Sequence, residues 1–348
     1  MPVKDGRKKK RVTIADIAER AGVTSGAVSL AVNGKRGVSD ATRTRILEVA
    51  KELNWRPSHA AQTLMGKAAE AIGLVLTRPA TVVGEEIFFA KFIAGVQSAL
   101  SEHGYSLLLQ MAHDTATEIA IHRAWMGDGR VDGILVLDPR VDDPRIEALV
   151  ALEAPTVIVG GEVDHTHIRS LRVDNAQATR LIMEHLHSLG HQRVGLVAGD
   201  QSFWHIQRRM ETFDQFCVDH GIWGQTLVGG FDANQARTVT KRLLKSPQPP
   251  TAIVFDSEVM ALAGMSVIAQ QGLSIPEDVS IVSWEDSTTC QVLHPTLTAL
   301  DRDAVSLGRL AAAEMFSLLA HTDARPEPMR MQVVPRESTA RPAGSSRY

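Results

Sequence analysis

Residues 12–34 read Val12-Thr13-Ile14-Ala15-Asp16-Ile17-Ala18-Glu19-Arg20-Ala21-Gly22-Val23-Thr24-Ser25-Gly26-Ala27-Val28-Ser29-Leu30-Ala31-Val32-Asn33-Gly34. Thr13 with Asp16 three residues on has the form of a capping box, in which a hydroxyl caps a helix and the acid reaches back. Ile14, Ile17, Ala18 and Ala21 then recur at the spacing of one buried helix face. Gly22 stops that helix, and Thr24 can cap a second. Val28, Ala31 and Val32 point one way from it; Ser25, Gly26, Ser29, Leu30 and Asn33 point the other. Asn33-Gly34 signals a turn. Working outward, Ser39 can cap a third helix with Ile46, Val49, Ala50 and Leu53 inward, which Asn54 and Pro57 end. Three short helices, the first two joined by a tight glycine-containing turn, describe a helix-turn-helix bundle.

The second helix exposes small and hydroxylated side chains, a surface that lets a helix lie deep in a DNA major groove. Lys8, Lys9, Lys10, Arg11, Lys35, Arg36, Arg43 and Arg45 surround it and can neutralise phosphates. Over the 348 residues the net charge is −3, but it is unevenly placed. Residues 1–69 carry 14 basic and 6 acidic side chains, net +8; residues 70–348 carry 23 and 34, net −11. A basic head on an acidic body implies one module for a polyanion and another for something else.

The stretch from Val12 to Thr24, with Ala27-Val28-Ser29, Asn33-Gly34, Val38-Ser39, Thr42-Arg43, Ile46, Ala50, Leu53 and Arg56-Pro57, resembles the DNA-binding head of the lactose-repressor/galactose-repressor (LacI/GalR) family. The resemblance implies that Ser25 and Gly26 open the recognition helix and that Ser29 contacts a base or phosphate. It gives Thr13, Thr24, Ala27, Leu30, Asn33 and Ser39 as the other DNA-facing residues of the head. Leu30 departs from the family pattern, which often has an arginine there; it either touches a thymine methyl or is partly buried and silent.

In residues 57–67, PSHAAQTLMGK, Pro57 and Ser58 suit a helix start and Gly66 a stop; about two turns is too short to be stable alone, and the pattern by itself also fits a disordered linker or a small amphipathic packing helix. In the family this is a hinge helix that folds when two copies pair on the operator. The resemblance implies that Leu64 wedges into the minor groove and that Ala61 lets the two helices approach; such wedges bend DNA by unstacking a base step.

From about residue 70 short apolar runs alternate with helical patterns. The runs are 71–76, 106–110, 133–137, 156–159, 193–197, 252–255 and 279–282; the helical patterns include 88–103, 175–189, 208–220, 235–244 and 258–271. Buried strands alternating with helices imply parallel α/β sheets, here enough for two with a ligand cleft between them at the strands' carboxyl ends. Val131-Asp132-Gly133-Ile134, Val173-Asp174-Asn175, Leu189-Gly190-His191 and Pro276-Glu277-Asp278-Val279-Ser280 are similar to the periplasmic-binding-protein-like core of the same family. The expected fold is therefore α plus α/β: a three-helix helix-turn-helix head (1–57), a hinge helix and linker (58–69), a two-lobed core (70–340) and a tail (341–348). Lobe 1 is expected at about 70–170 plus 298–326, lobe 2 at about 171–297 plus 327–340.

Site candidates lie at strand ends. Trp204 follows Ala198-Gly199-Asp200. By the resemblance, Arg209 is the effector-binding arginine, whose planar guanidinium donates several hydrogen bonds to vicinal hydroxyls or a carboxylate. Trp284-Glu285-Asp286 is similar to a family motif whose first acid accepts from ligand hydroxyls, and the resemblance implies that role for Glu285. Ser257 and Glu258 replace a segment that usually reads Asn-Asp, Phe231 aligns with an aromatic that stacks on sugar faces, and Phe88-Phe89 resemble an aromatic pair of the other lobe. Gly160-Gly161 stand where many members carry a charged side chain. Arg78, after the first strand, is placed to meet an anionic group.

Other chemistries find no support. Only Cys217 and Cys290 occur, so neither a disulfide scaffold nor a cysteine-rich zinc site is expected. His185 and His187, two apart on a helix, face differently and do not make a metal site with His191. Neither a phosphate-loop nor a nucleophile-elbow pattern is present. No apolar run is long enough to span a membrane, and no apolar segment follows the charged N-terminus as in a secretory signal. The reading is a cytoplasmic, nucleoid-associated regulator of transcription, a repressor, not an enzyme and without a cofactor. It is expected to bind a pseudo-palindromic double-stranded operator as a homodimer under control of a sugar or sugar derivative. A solute-binding protein would share the body but lack the +8 head; an enzyme on the same scaffold would need a catalytic motif.

Overall fold

The computed structural model describes residues 12–55, 68–163, 165–322 and 329–343. The chain divides into two units between residues 67 and 68.

In the first unit, α1 (Ile14–Ala21), α2 (Ser25–Val32) and α3 (Asp40–Glu52) form where the caps expect them. The Asp16 amide donates to the Thr13 hydroxyl at 3.4 Å, and the Thr13 amide donates to the Asp16 carboxylate at 2.7 Å, closing the capping box. Gly22 ends α1 at φ 64°, a left-handed conformation glycine adopts without a Cβ clash. Thr24 and Ser39 accept from the amides of Ala27 and Thr42. Ile17, Ala18, Ala21, Val28, Ala31, Ile46 and Ala50 meet in one core. Ala61 and Leu64, with nearly all of the expected hinge, lie outside the described residues.

The second unit holds two sheets. The first is all parallel, in the order β2-β1-β3-β4-β5: β1 (Ala71–Leu76), β2 (Ser106–Met111), β3 (Gly133–Val136), β4 (Thr156–Val159) and β5 (Ile168–Leu171). Between its strands run α4 (Ala80–Glu85), α5 (Ile87–Glu102), α6 (Thr115–Gly127) and α7 (Pro144–Ala151). The chain then enters α8 (Asn175–Ser188) and a second sheet, in the order β11-β10-β9-β8-β6-β7. Its strands are β6 (Arg193–Ala198), β7 (Trp223–Val228), β8 (Ala252–Phe255), β9 (Ser280–Ser283), β10 (Thr298–Asp301) and β11 (Gln332–Val334), parallel except for β11 against β10. Its helices are α9 (Trp204–His220), α10 (Ala233–Leu244), α11 (Glu258–Gln270) and the short α12 (Thr288–Val292). β1, β3, β4, β6, β8 and β9 are almost wholly buried, which is why they read as continuous apolar runs rather than alternating ones.

After β10 the chain returns to the first lobe as α13 (Ala304–Leu319), which packs on α5. Leu307, Ala311, Ala312 and Met315 share a core with Phe92, Val96 and Leu100. The expected boundary at residue 298 needs correction: Thr298 and Ala299 pair with Val282 and Ser283 of the second sheet, so the crossing falls at Arg302-Asp303. β10 is only four residues long, Thr298-Ala299-Leu300-Asp301, with a polar residue at each end, so it did not stand out as an apolar run. Among the described residues, no helix is long and apolar enough to cross a membrane.

Candidate functional site

In the head, Thr13, Thr24, Ser25, Gly26 and Ser39 are exposed, while Ala27, Ser29, Leu30 and Asn33 are half-buried. The Asn33 amide donates to the Ser29 carbonyl at 2.6 Å, so Asn33 is tied back onto its own helix. Leu30 leans on the loop after α2: a Cβ added to Gly37 would stand 3.0 Å from its Cδ1. Lys35 and Arg36 are exposed, and Arg43 donates to the Lys35 carbonyl at 2.7 Å.

In the core, the carboxyl ends of both sheets face a cleft. Arg209 lies at its centre, 2% exposed. Its Nη1 stands 3.3 Å from an Asp256 oxygen, its Nε donates to Asn175 Oδ1 at 3.0 Å, and its guanidinium lies 3.7 Å over the Trp284 ring. Asp256 also accepts from the Gly199 amide at 2.9 Å. Burial pulls the arginine down to about 10, with Asp256 pulling the other way. Burial and the Arg209 charge hold His205 well below its ordinary value, so it is neutral.

Two further ion pairs line the cleft. Arg78 donates to Asp138 at 2.8 Å and lies over the rings of Phe203 and Phe231. Burial alone would raise Asp138, but Arg78 holds it below its ordinary value. Arg302 donates to Glu285 at 2.8 Å with its guanidinium over Phe88. Ser257 caps α11 through the Met260 amide. Phe231 adopts φ 63°, a costly conformation for a bulky residue, and its ring covers Gly199, where a Cβ would stand 2.2 Å from it.

Of the residues expected in the cleft, the structure brings together Phe88, Arg209, Phe231, Ser257 and Glu285. It does not bring Trp204 or Glu258. Trp204 lines a separate depression with Arg172, Arg180 and Arg208. Helical phase explains this: Trp204 and Arg208 are four apart on one face of α9, whereas His205 and Arg209 are four apart on the face toward the cleft. Glu258 is the first residue of α11, turned about 100° around the axis from the capping Ser257, and is buried away from the cavity. Gly160 lines the cleft, at φ 84°.

Sequence reasoning missed Glu86, Asp138, His205 and Arg302. The i−4 spacing from Arg209 is the signal that marks His205. Arg302 follows a strand that the apolar-run reading did not recognise. Among the described residues no group of three or more His, Cys, Asp or Glu side chains is placed to hold a metal ion.

A helix-turn-helix head followed by two α/β lobes facing each other over a polar cleft defines a DNA-binding regulator with a periplasmic-binding-protein-like core. Known families agree: "Bacterial regulatory proteins, lacI family" matches residues 13–58 and "Periplasmic binding protein-like domain" matches residues 183–339. A solved LacI-family transcriptional regulator from Bifidobacterium animalis subsp. lactis is 34% identical, with a TM-score of 0.72 over 80% of this chain and all of that one. A lac repressor dimer bound to operator and the anti-inducer ONPF is 26% identical, with a TM-score of 0.80 over 95% of this chain and all of that one. A CelR–cellobiose complex is 26% identical, with a TM-score of 0.71 over 94% of this chain and all of that one. The chain belongs to the LacI family. It is a DNA-binding transcriptional regulator, not an enzyme.

Proposed function

We propose that the protein is a cytoplasmic repressor that binds a pseudo-palindromic operator as a homodimer and is controlled by a sugar or sugar derivative held between the lobes. The observation that carries the effector class is the buried Arg209, oriented by Asp256 and Asn175 and flanked by Arg78–Asp138 and Arg302–Glu285. Alternating planar donors and carboxylate acceptors suit vicinal hydroxyls, and Phe88 and Phe231 offer apolar ring faces. The related CelR and lac repressor structures hold cellobiose and ONPF.

Control follows from the placement of the cleft. Its cavity of about 60 Å³, room for about four to six waters, is lined by residues of both lobes, Phe88 and Arg302 among them facing Arg209 and Glu285. A sugar held there contacts both lobes at once and so biases their relative position. In the head, Ser25, Gly26, Ala27 and Ser29 face the base edges; Thr13, Thr24, Asn33 and Ser39 support or touch the backbone; Leu30 reads a methyl or nothing. Leu64 and Ala61 serve the paired hinge. Lobe movement alters hinge pairing and so operator affinity.

The test is paired. Operator-length duplex DNA is titrated by fluorescence anisotropy with and without each sugar of a panel, and melting is followed with the same panel. A binding sugar raises the melting temperature and changes operator affinity, and by linkage the operator changes sugar affinity by the same factor. A sugar that binds while leaving operator affinity unchanged in both directions refutes the coupling.

A further inference from the structure

Among the described residues, the charges lining the cleft close in pairs, with one exception. Arg78 meets Asp138, Arg209 meets Asp256 and Arg302 meets Glu285. His205 is neutral there. Glu86, at the junction of α4 and α5, lines the same cavity from the first lobe, and its Oε1 is buried without a hydrogen-bond partner. Among the described residues, the cavity therefore has no arginine left unmatched by an acid, and the Glu86 Oε1 is an acid oxygen left unmatched by a donor.

We infer that Glu86 is a specificity-determining residue of this cleft: it selects a sugar presenting a hydrogen donor, a hydroxyl or an ammonium, and it excludes sugars carrying a carboxylate or a phosphate. The inference rests on the reading of the cleft as a sugar site. A buried acceptor without a donor is unfavourable, and a ligand that supplies the donor removes that penalty. An acidic ligand finds every guanidinium already neutralised and meets Glu86 as a like charge in a poorly solvated site.

The protonation of Glu86 sharpens the choice. Burial raises its carboxyl to about 7; Ser257, facing it from the second lobe, and the Arg78 and Arg302 charges pull it down, while Glu285 pushes it up. Asp138, Arg209 and Asp256 complete the charged lining. Above pH 7 Glu86 is mainly a carboxylate, so an ammonium gains over a hydroxyl; below it the acid donates as well as accepts and that gain fades.

The experiment uses the full-length protein at about pH 7.5. Glucose and galactose are each tested as the free sugar, the 2-amino sugar, the uronate and the 6-phosphate, by melting temperature and titration calorimetry, on the wild type and on Glu86→Gln. The expected result is that the neutral and amino forms bind at least about tenfold more tightly than the uronate and phosphate of the same sugar, a gap of about 1.4 kcal/mol. Glu86→Gln should narrow the gap to within about threefold and remove the preference for the ammonium. Acidic forms binding as tightly as neutral ones in the wild type overturn the assignment and leave the sugar reading standing. A gap unchanged in Glu86→Gln does the same. If none of the eight compounds binds, the sugar reading falls and the assignment with it. Should Glu86→Gln fail to fold, the wild-type order alone decides, supported by Glu86→Asp, which keeps the charge and should keep the order.

Discussion

Arg302 Nε donates to Glu285 at 2.8 Å while its guanidinium lies 4.6 Å from the centroid of the Phe88 ring. Glu285 follows β9 in the second lobe, Phe88 lies on α5 in the first, and Arg302 sits where the chain crosses between them. One side chain thus satisfies a carboxylate that is 6% exposed and covers an aromatic of the opposite lobe. Arg302→Ala removes both contacts and leaves Glu285 buried without its cation. A loss of about 3–5 kcal/mol is expected in urea unfolding, with sugar binding weakened. Arg302→Lys should fall between, since an ammonium restores charge but not the planar face. Arg302→Met with Glu285→Gln should recover stability but not binding.

How much of this site the sequence displays can be judged residue by residue. Arg209, Phe231, Ser257 and Glu285 sit in or beside strand-end motifs, where backbone position alone places them at the cleft. Trp204 and Glu258 lie one helical step from cleft-facing residues, and spacing along the chain does not fix helical phase when the helix start is misplaced; α9 begins at Trp204 rather than Arg208. Glu86 has significance only through the absence of a partner for its Oε1, which is a property of packing. In the fold, the three caps of the head and the buried strands β1, β3, β4, β6, β8 and β9 were readable, whereas the short buried β10, begun by Thr298 and ended by Asp301, was not. β7 and β11 were not, because their residues are half-exposed and polar enough to break an apolar run.

Gly95 and Gly308 mark the closest approach of α5 and α13. A Cβ at Gly95 would stand 2.0 Å from the Val305 carbonyl oxygen, and one at Gly308 would stand 2.2 Å from the Phe92 carbonyl oxygen. Both obstacles are backbone, so relief requires the helices to part. Gly308→Ala gains helix propensity of up to about 1 kcal/mol, yet overpacking of this kind costs about 1–3 kcal/mol. The net expectation is destabilisation, read as a lower urea midpoint with unchanged slope. A midpoint at or above that of the wild type would show that the two helices are free to separate.

His122 provides an acid-sensitive element in the first lobe. It is 1% exposed, neither ring nitrogen has a hydrogen-bond partner, and Arg145 lies near, bonded to Glu118 and Asp143. Burial, with the Arg145 charge second, pushes it down to about 4. The folded value is below the unfolded one of about 6.5, so its contribution is fully present above pH 6.5 and is lost as the pH falls toward 4. The shift corresponds to about 3 kcal/mol. Glu86 acts oppositely, since its raised carboxyl favours the folded state at lower pH. The difference between wild type and His122→Leu isolates the histidine: the variant should lose less stability between pH 6.5 and 4.5. Parallel curves would mean that His122 is hydrated or paired in the folded protein.

Thr13→Ala and Leu64→Ala should separate folding of the head from engagement of DNA. Thr13 closes the capping box of α1 with Asp16, and removing such a cap costs about 1 kcal/mol. That loss falls on the whole three-helix core, so the head should melt earlier and operator and nonspecific DNA should both bind more weakly in proportion. Leu64 is proposed as a minor-groove wedge, and on that proposal its truncation would remove an apolar wedge without removing a charge. Its operator affinity should drop while the melting temperature, sugar affinity and affinity for nonspecific DNA stay at wild-type values. The slope of log affinity against log salt counts phosphates neutralised, so it too should be unchanged for Leu64→Ala. Anisotropy titrations on operator and scrambled duplexes at three salt concentrations distinguish the cases. Unchanged operator affinity in Leu64→Ala would remove the wedge from the mechanism and leave specificity to the recognition helix alone.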